Sequence, residues 1–191
     1  MPEGPRTSPG VHFPPPFLFV GGVVLAALLQ RAWPLPLWRG LRSTIPLVVA
    51  YLLIAAGFAW ATWGIMTFRR ARTAVIPNHP ASRLVTWGPY RFGRNPMYLG
   101  LTILYCGVAV WMNSLWAFLL LPLVIALLIG LVIRRQERYL TDAFGQAYRD
   151  YCGRVPRWIS FGAVPLSRHS GESRNSERYA PKSPGPPPSP G

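Results

Sequence analysis

The sequence predicts an all-α integral membrane protein with about four transmembrane helices and a cytoplasmic pocket formed by the loop before span three and the helix after span four. Three observations predict this class. Residues 17–29, 45–68, 97–112 and 114–133 contain no Lys, Arg, Asp, Glu or His. The second and fourth of these runs are long enough to cross a hydrocarbon layer of about 30 Å. The basic residues, nearly all arginine, gather in the segments beside the runs, as they do where a membrane protein faces anionic lipid.

The first span is expected over about 13–30, with Phe13 to Phe17 lengthening its start. The run follows a Pro-rich stretch and no small-x-small cleavage site follows it, so the helix is expected to stay as an anchor. Residues 1–12 are expected to be disordered. The second span covers 45–68. The third, 96–112, and the fourth, 114–133, are separated only by Asn113-Ser114, which requires a tight helical hairpin. Beyond it, cytoplasmic helices are expected over 134–160, with the helix that continues span four stopping at Gly145, a good C-terminal breaker. Residues 161–191 are rich in Ser, Pro, Gly and Arg and cannot bury enough apolar surface to offset ordering entropy, which predicts a disordered tail.

The positive-inside rule places the loop from Arg69 to Asn95 and the segment from Arg134 to Arg157 in the cytoplasm. The uncharged Asn113-Ser114 hairpin then faces outward. So does the connection carrying Arg31, Arg39 and Arg42, against the rule; its Trp33, Pro34, Pro36 and Trp38 suggest a loop lying in the membrane interface. The net charge of +14 would suggest nucleic-acid binding in a soluble chain; its placement beside the spans argues for lipid instead. Cys106 lies in an apolar run and Cys152 in a basic segment, so no disulfide framework is expected. His12, His79 and His169 lack metal-ligand spacing, and no metal site is expected.

One stretch is dense in chemistry: Leu84-Val85-Thr86-Trp87-Gly88-Pro89-Tyr90-Arg91-Phe92-Gly93-Arg94-Asn95-Pro96-Met97-Tyr98-Leu99-Gly100. Asn95 is a favoured N-cap and Pro96 fits the first helical position, so span three should begin there. A helix N-terminus with Arg91 and Arg94 close to it favours an anion. Gly100, one turn into the helix, lets a neighbouring helix or a ligand approach. After span four, Arg134-Arg135-Gln136-Glu137 leads to Phe144-Gly145, Tyr148 and Tyr151. In residues 11–160 the acids are Glu137, Asp142 and Asp150. Glu137 is thus a carboxylate among arginines, and its structural role would be to pair with Arg134, Arg138 or Arg94. There is no Ser-His-Asp or Cys-His arrangement and no catalytic residue can be named.

These two segments resemble those of the isoprenylcysteine carboxyl methyltransferase family, its bacterial members and the related phospholipid methyltransferases, over roughly residues 45–160. The family carries the Leu-Val-Thr, Gly-x-Tyr and Arg-His/Asn-Pro-x-Tyr-x-Gly series before a membrane helix, and a Glu-Glu pair followed by Leu and Phe-Gly-x-x-Tyr after the next one; Asn95 stands where eukaryotic relatives have His and resembles the bacterial variant. The resemblance implies an S-adenosylmethionine-dependent methyltransferase domain over 13–160. Its acceptor would be lipid-like or small and apolar, with carboxyl O-methylation among the reactions implied. Carried over by position, the cofactor contacts fall on Val85, Tyr90, Asn95, Pro96, Met97 and Tyr98, and on Gln136 and Glu137 at the acid pair, where Gln136 departs from the family's first Glu. Eukaryotic relatives place a substrate-binding Arg where this chain has Val132, so no prenylcysteine substrate is carried over. Arg91, Arg94, Arg154 and Arg157 are the candidates for orienting a substrate carboxylate. The expected partners are the bilayer and the acceptor, not nucleic acid, and the expected location is a bacterial inner membrane with the site facing the cytoplasm. Two alternatives remain. One is an NADPH-dependent membrane reductase, because sterol reductases carry a similar Arg-Asn-Pro-x-Tyr-x-Gly region. The other is a non-enzymatic lipid-binding membrane protein.

Overall fold

The computed structural model describes residues 14–39, 44–72 and 84–159. The expected disordered segments 1–12 and 161–191 lie outside the described residues. Among the described residues all regular structure is helical: α1 (Pro16–Ala32), α2 (Ile45–Arg70), a 3₁₀ turn (Gly88–Arg91), α3 (Pro96–Trp111), α4 (Leu115–Leu128), a π-helical turn (Ile129–Ile133), α5 (Arg134–Phe144) and α6 (Gln146–Arg154). Proline stands in the first helical turn of α1, α2 and α3, where its missing N–H breaks no helix bond. Gly145 takes a φ of +54° between α5 and α6, a conformation that suits glycine and ends α5 where the sequence placed the stop.

Two helices have the length and apolarity to cross a membrane, Ile45–Arg70 and the continuous Leu115–Phe144. α1 and α3, of 17 and 16 residues, are apolar but shorter. The large side chains Leu52, Phe58, Leu119 and Leu123 are more than half exposed, a surface that hydrocarbon accommodates and water does not.

α3 is central. On one side it packs against α2 through small residues. A Cβ on Gly57 would lie 2.7 Å from the Gly100 carbonyl oxygen, and one on Gly107 would lie 2.8 Å from the Ile54 nitrogen. The two backbones therefore touch, the arrangement small residues permit between apolar helices. On its other side α3 meets α1 and α4. There Tyr105 is buried, sets its ring edge against Phe19 at 6.2 Å and donates its hydroxyl to the Ala117 carbonyl at 2.9 Å.

At one end of the bundle the α1–α2 connection is tied to the α3–α4 hairpin. Asn113 adopts a left-handed φ of +49°. Its Oδ1 accepts from the backbone N–H of Leu37 at 2.9 Å and of Trp38 at 3.2 Å, and its Nδ2 donates to the Trp38 carbonyl at 3.1 Å. Ser114 Oγ bonds Gln30 Oε1 at 3.2 Å, and Trp116 Nε1 donates to the Trp33 carbonyl at 2.7 Å. The arginine-bearing connection and the uncharged hairpin thus share one end, as the sequence topology required. Asn113→Ala removes three hydrogen bonds and places a β-carbon residue without a local polar partner in the left-handed region. It is expected to destabilise by about 2 kcal/mol, and Asn113→Gly by about 1 kcal/mol less. Thermal unfolding in detergent checks both the loss and the order.

Candidate functional site

At the opposite end lie Arg69, Arg70, the motif loop, α5 and α6. The loop is shaped by Gly88, whose φ is +65° and whose absent side chain would fall 2.9 Å from Thr67 Oγ1. The turn that follows drives Tyr90 inward, 4% exposed, with its ring 4.9 Å from that of Phe68 on α2. The Tyr90 carbonyl accepts from the Tyr151 hydroxyl at 2.6 Å, which joins the loop to α6. Val85 is also buried, and its neighbour Leu84 packs on the cluster of Phe144, Tyr148, Tyr151 and Val155. Arg91 is exposed and lies over the Phe92 ring at 4.5 Å from its centroid.

α3 begins at Pro96, as the sequence indicated, but the expected cap is not made. Asn95 occupies the N-cap position without a side-chain cap, and its Nδ2 donates to the Arg157 carbonyl at 3.0 Å. The N–H groups of Met97 and Tyr98 fall in the first turn, where a helix supplies no partner of its own. The two side chains diverge. Met97 packs against Gly64 on α2, with its Cγ 2.7 Å from where a Cβ on Gly64 would stand. Tyr98 turns to α5 and donates its hydroxyl to Gln136 Oε1 at 3.1 Å. A helix start and a residue 38 positions later are thereby brought into contact.

Glu137 is the hub of the charges. Arg157 grips it with two parallel bonds, Nε to Oε1 at 3.0 Å and Nη2 to Oε2 at 2.6 Å, and Arg94 Nη1 approaches Oε1 at 3.1 Å. Of the expected pairings, Arg94 is observed, whereas Arg138 donates to the Arg134 carbonyl in its own helix. Arg157, one of the candidates for orienting substrate, closes this ion pair, which raises its pKa chiefly through the hydrogen bond to Glu137. Arg94 Nη1 also contacts Cys152 Sγ at 2.8 Å. Arg154 is exposed and donates to the Asp150 carbonyl. Val132 is 1% exposed inside the π-helical turn, so it belongs to the core.

Sequence reasoning missed Gly64, Cys152 and Trp158. Cys152 lay in a segment read as basic and polar, and the apolar spacing Tyr148, Tyr151, Val155 and Trp158 was its available signal. Burial first, and then the neighbouring Tyr148, push the Tyr151 phenol above its ordinary range; burial first, and then Tyr151, do the same to Tyr90. Three buried polar atoms find no protein partner among the described residues: Tyr90 Oη, Trp60 Nε1 and Arg94 Nε. The place a Cβ on Gly64 would take is 3.7 Å from Tyr90 Oη and 3.7 Å from Met97 N. Tyr90 Oη and the first turn of α3 therefore lie on the Gly64 face of α2, where the Met97 side chain also packs, and both carry donors for a polar acceptor atom.

The profile of the phospholipid methyltransferase family matches residues 45–147. Cobalt-zinc-cadmium resistance protein CzcN of Cupriavidus metallidurans is 34% identical over 98 residues, which are 51% of this chain and 43% of that protein. An uncharacterized protein of Haemophilus influenzae is 33% identical over 63 residues, which are 33% of this chain and all of that protein. The chain therefore spans less than half the length of the first of these relatives. No solved structure matches it.

Proposed function

Because the chain belongs to the phospholipid methyltransferase family, we propose that it is an S-adenosylmethionine-dependent methyltransferase held in a bacterial inner membrane by four helices. Its acceptor is a lipid-like or small apolar molecule that enters from the bilayer, and its site faces the cytoplasm, where the arginines gather. The family is one of methyltransferases, which favours methyl transfer over a nicotinamide-dependent reduction.

The observation that carries the reading is the pairing of Tyr98 at the start of α3 with Gln136 on α5, beside the unpartnered Tyr90 hydroxyl. These residues fit the cofactor's methionyl part, which carries both a carboxylate and an ammonium. The Tyr90 hydroxyl and the N–H groups of Met97 and Tyr98 would receive the carboxylate, and the Gln136 amide would take a second polar group. Val85, Asn95 and Pro96 would shape the walls, and Glu137 sets the charge beside Gln136.

When bound, the cofactor supplies an activated methyl group on a sulfonium. In-line displacement at such a carbon demands alignment and exclusion of water more than an acid-base pair. Arg91 and Arg154 are exposed and could receive an acceptor carboxylate in the two-pronged geometry of a guanidinium, which makes carboxyl O-methylation the reaction we assign. Arg94 and Arg157 are already engaged by Glu137.

Calorimetry of the purified protein with S-adenosylhomocysteine tests the reading. Binding is expected, and Tyr98→Phe, which loses the bond to Gln136, is expected to weaken it about fivefold, the effect of about 1 kcal/mol. No detectable binding at millimolar ligand would overturn the assignment.

A further inference from the structure

The chain beyond α6 doubles back over the motif loop. The Arg94 N–H donates to the Pro156 carbonyl at 3.0 Å, and Asn95 Nδ2 donates to the Arg157 carbonyl at 3.0 Å. Gly93 lies directly beneath the Trp158 carbonyl, where any β-carbon would overlap it. The Trp158 side chain packs on the core cluster that contains Tyr98 and Ile133. Residues 155–158 thus form a strap hydrogen-bonded to Arg94 and Asn95 and lying against Gly93, immediately before Pro96 opens α3.

A single side chain closes this strap onto α5. The Arg157 guanidinium spends two of its donors on the two oxygens of Glu137, the residue next to Gln136. Such a bidentate bond fixes orientation as well as distance. One face of the strap therefore holds the residues that launch α3, and the other holds the helix that carries Gln136. The first turn of α3 and Gln136, joined by the Tyr98–Gln136 hydrogen bond, are therefore two elements whose separation the strap helps to fix.

We infer that Arg157 is a positioning residue: its latch to Glu137 holds the strap, and the strap holds the start of α3 in register with Gln136 so that the ligand site is formed before ligand arrives. Its value for ligand binding rests on the cofactor reading given above. Its local mechanical effect does not.

Two readouts separate these. Purified wild-type protein, Arg157→Ala and Arg157→Lys are titrated with S-adenosylhomocysteine, their melting temperatures are measured, and backbone hydrogen exchange is followed over residues 92–98 without ligand. Arg157→Ala is expected to weaken binding about tenfold, as loss of a charge-assisted pair of bonds would, and to speed exchange at residues 93–98. Arg157→Lys, which keeps the charge but not the fork, is expected to recover part of the affinity. Equal ligand affinity in wild type and Arg157→Ala overturns the positioning role. So does a loss in Arg157→Ala that follows its melting temperature and is not lessened by lysine. If wild type binds no ligand, the cofactor reading falls and the exchange data decide the latch: unchanged exchange in Arg157→Ala overturns it, and faster exchange confined to residues 92–98 supports it.

Discussion

Gly100→Leu is expected to cost about 3 kcal/mol or more and to leave α2 unpaired with α3. The β-carbon alone would stand 2.6 Å from the Ala61 nitrogen and 2.8 Å from the Gly57 carbonyl oxygen. These are backbone atoms of a helix, which cannot yield as the tip of a flexible side chain can. Overpacking in a well-filled site costs about 1–3 kcal/mol when side chains alone must shift, and here whole helices must separate. Because Gly64 on α2 and Met97 on α3 meet at the same interface, the ligand site should open with it. Thermal unfolding in detergent should show a fall of many degrees, with binding of S-adenosylhomocysteine lost. Gly21→Leu is the control, since nothing lies within 4 Å of the β-carbon it would add. An unshifted melting temperature for Gly100→Leu would contradict direct backbone contact between α2 and α3.

Glu137→Ala is the second large effect. It removes the carboxylate that Arg94 and Arg157 share and leaves the Arg94 guanidinium, 16% exposed, facing another cation. Breaking a fully buried pair costs about 3–5 kcal/mol. Arg157 keeps 37% exposure, so water and salt screen part of the penalty, and about 2–3 kcal/mol is expected. The double variant with Arg157→Ala should be little worse than Glu137→Ala alone, because both remove the same bonds. Melting temperatures of the two single variants and the double variant check this. Strict additivity would mean that the ion pair does not connect α5 to the strap.

The helices were legible because charge-free runs and prolines mark them without reference to the rest of the chain. Pro96 opens α3, Gly145 ends α5, and Asn113-Ser114 makes the hairpin, all consequences of local backbone chemistry. Asn95 shows where that logic stops. Its type suits an N-cap, yet a carbonyl from residue 157, far along the chain, takes its amide. The partners of Glu137 divide in the same way. Arg134 and Arg138 are its neighbours along the helix, but the charges that reach it come from the motif loop and the strap, positions 94 and 157. The spacing from Tyr148 to Trp158 contained the strap's apolar face, while its course over Gly93 depends on tertiary packing that no local pattern encodes. The Tyr98 and Gln136 positions could be paired in advance only through resemblance, since 38 residues and a hairpin separate them.

The widened turn at Ile129–Ile133 makes the long helix behave as a geared shaft. Above it, the side chains of α4 present leucines outward; below it, Gln136 and Glu137 point at the motif and the strap. A π turn accommodates one residue more than the α-helical path, and each residue in an α-helix advances the azimuth by about 100°. The wide turn therefore sets the phase between the part of the shaft that sits among apolar neighbours and the part that carries the polar groups. Chain length between α4 and Gln136 becomes a metric constraint independent of residue type. Substitutions among the leucines alter only volume, but one inserted or deleted residue would swing Gln136 to another side of the shaft.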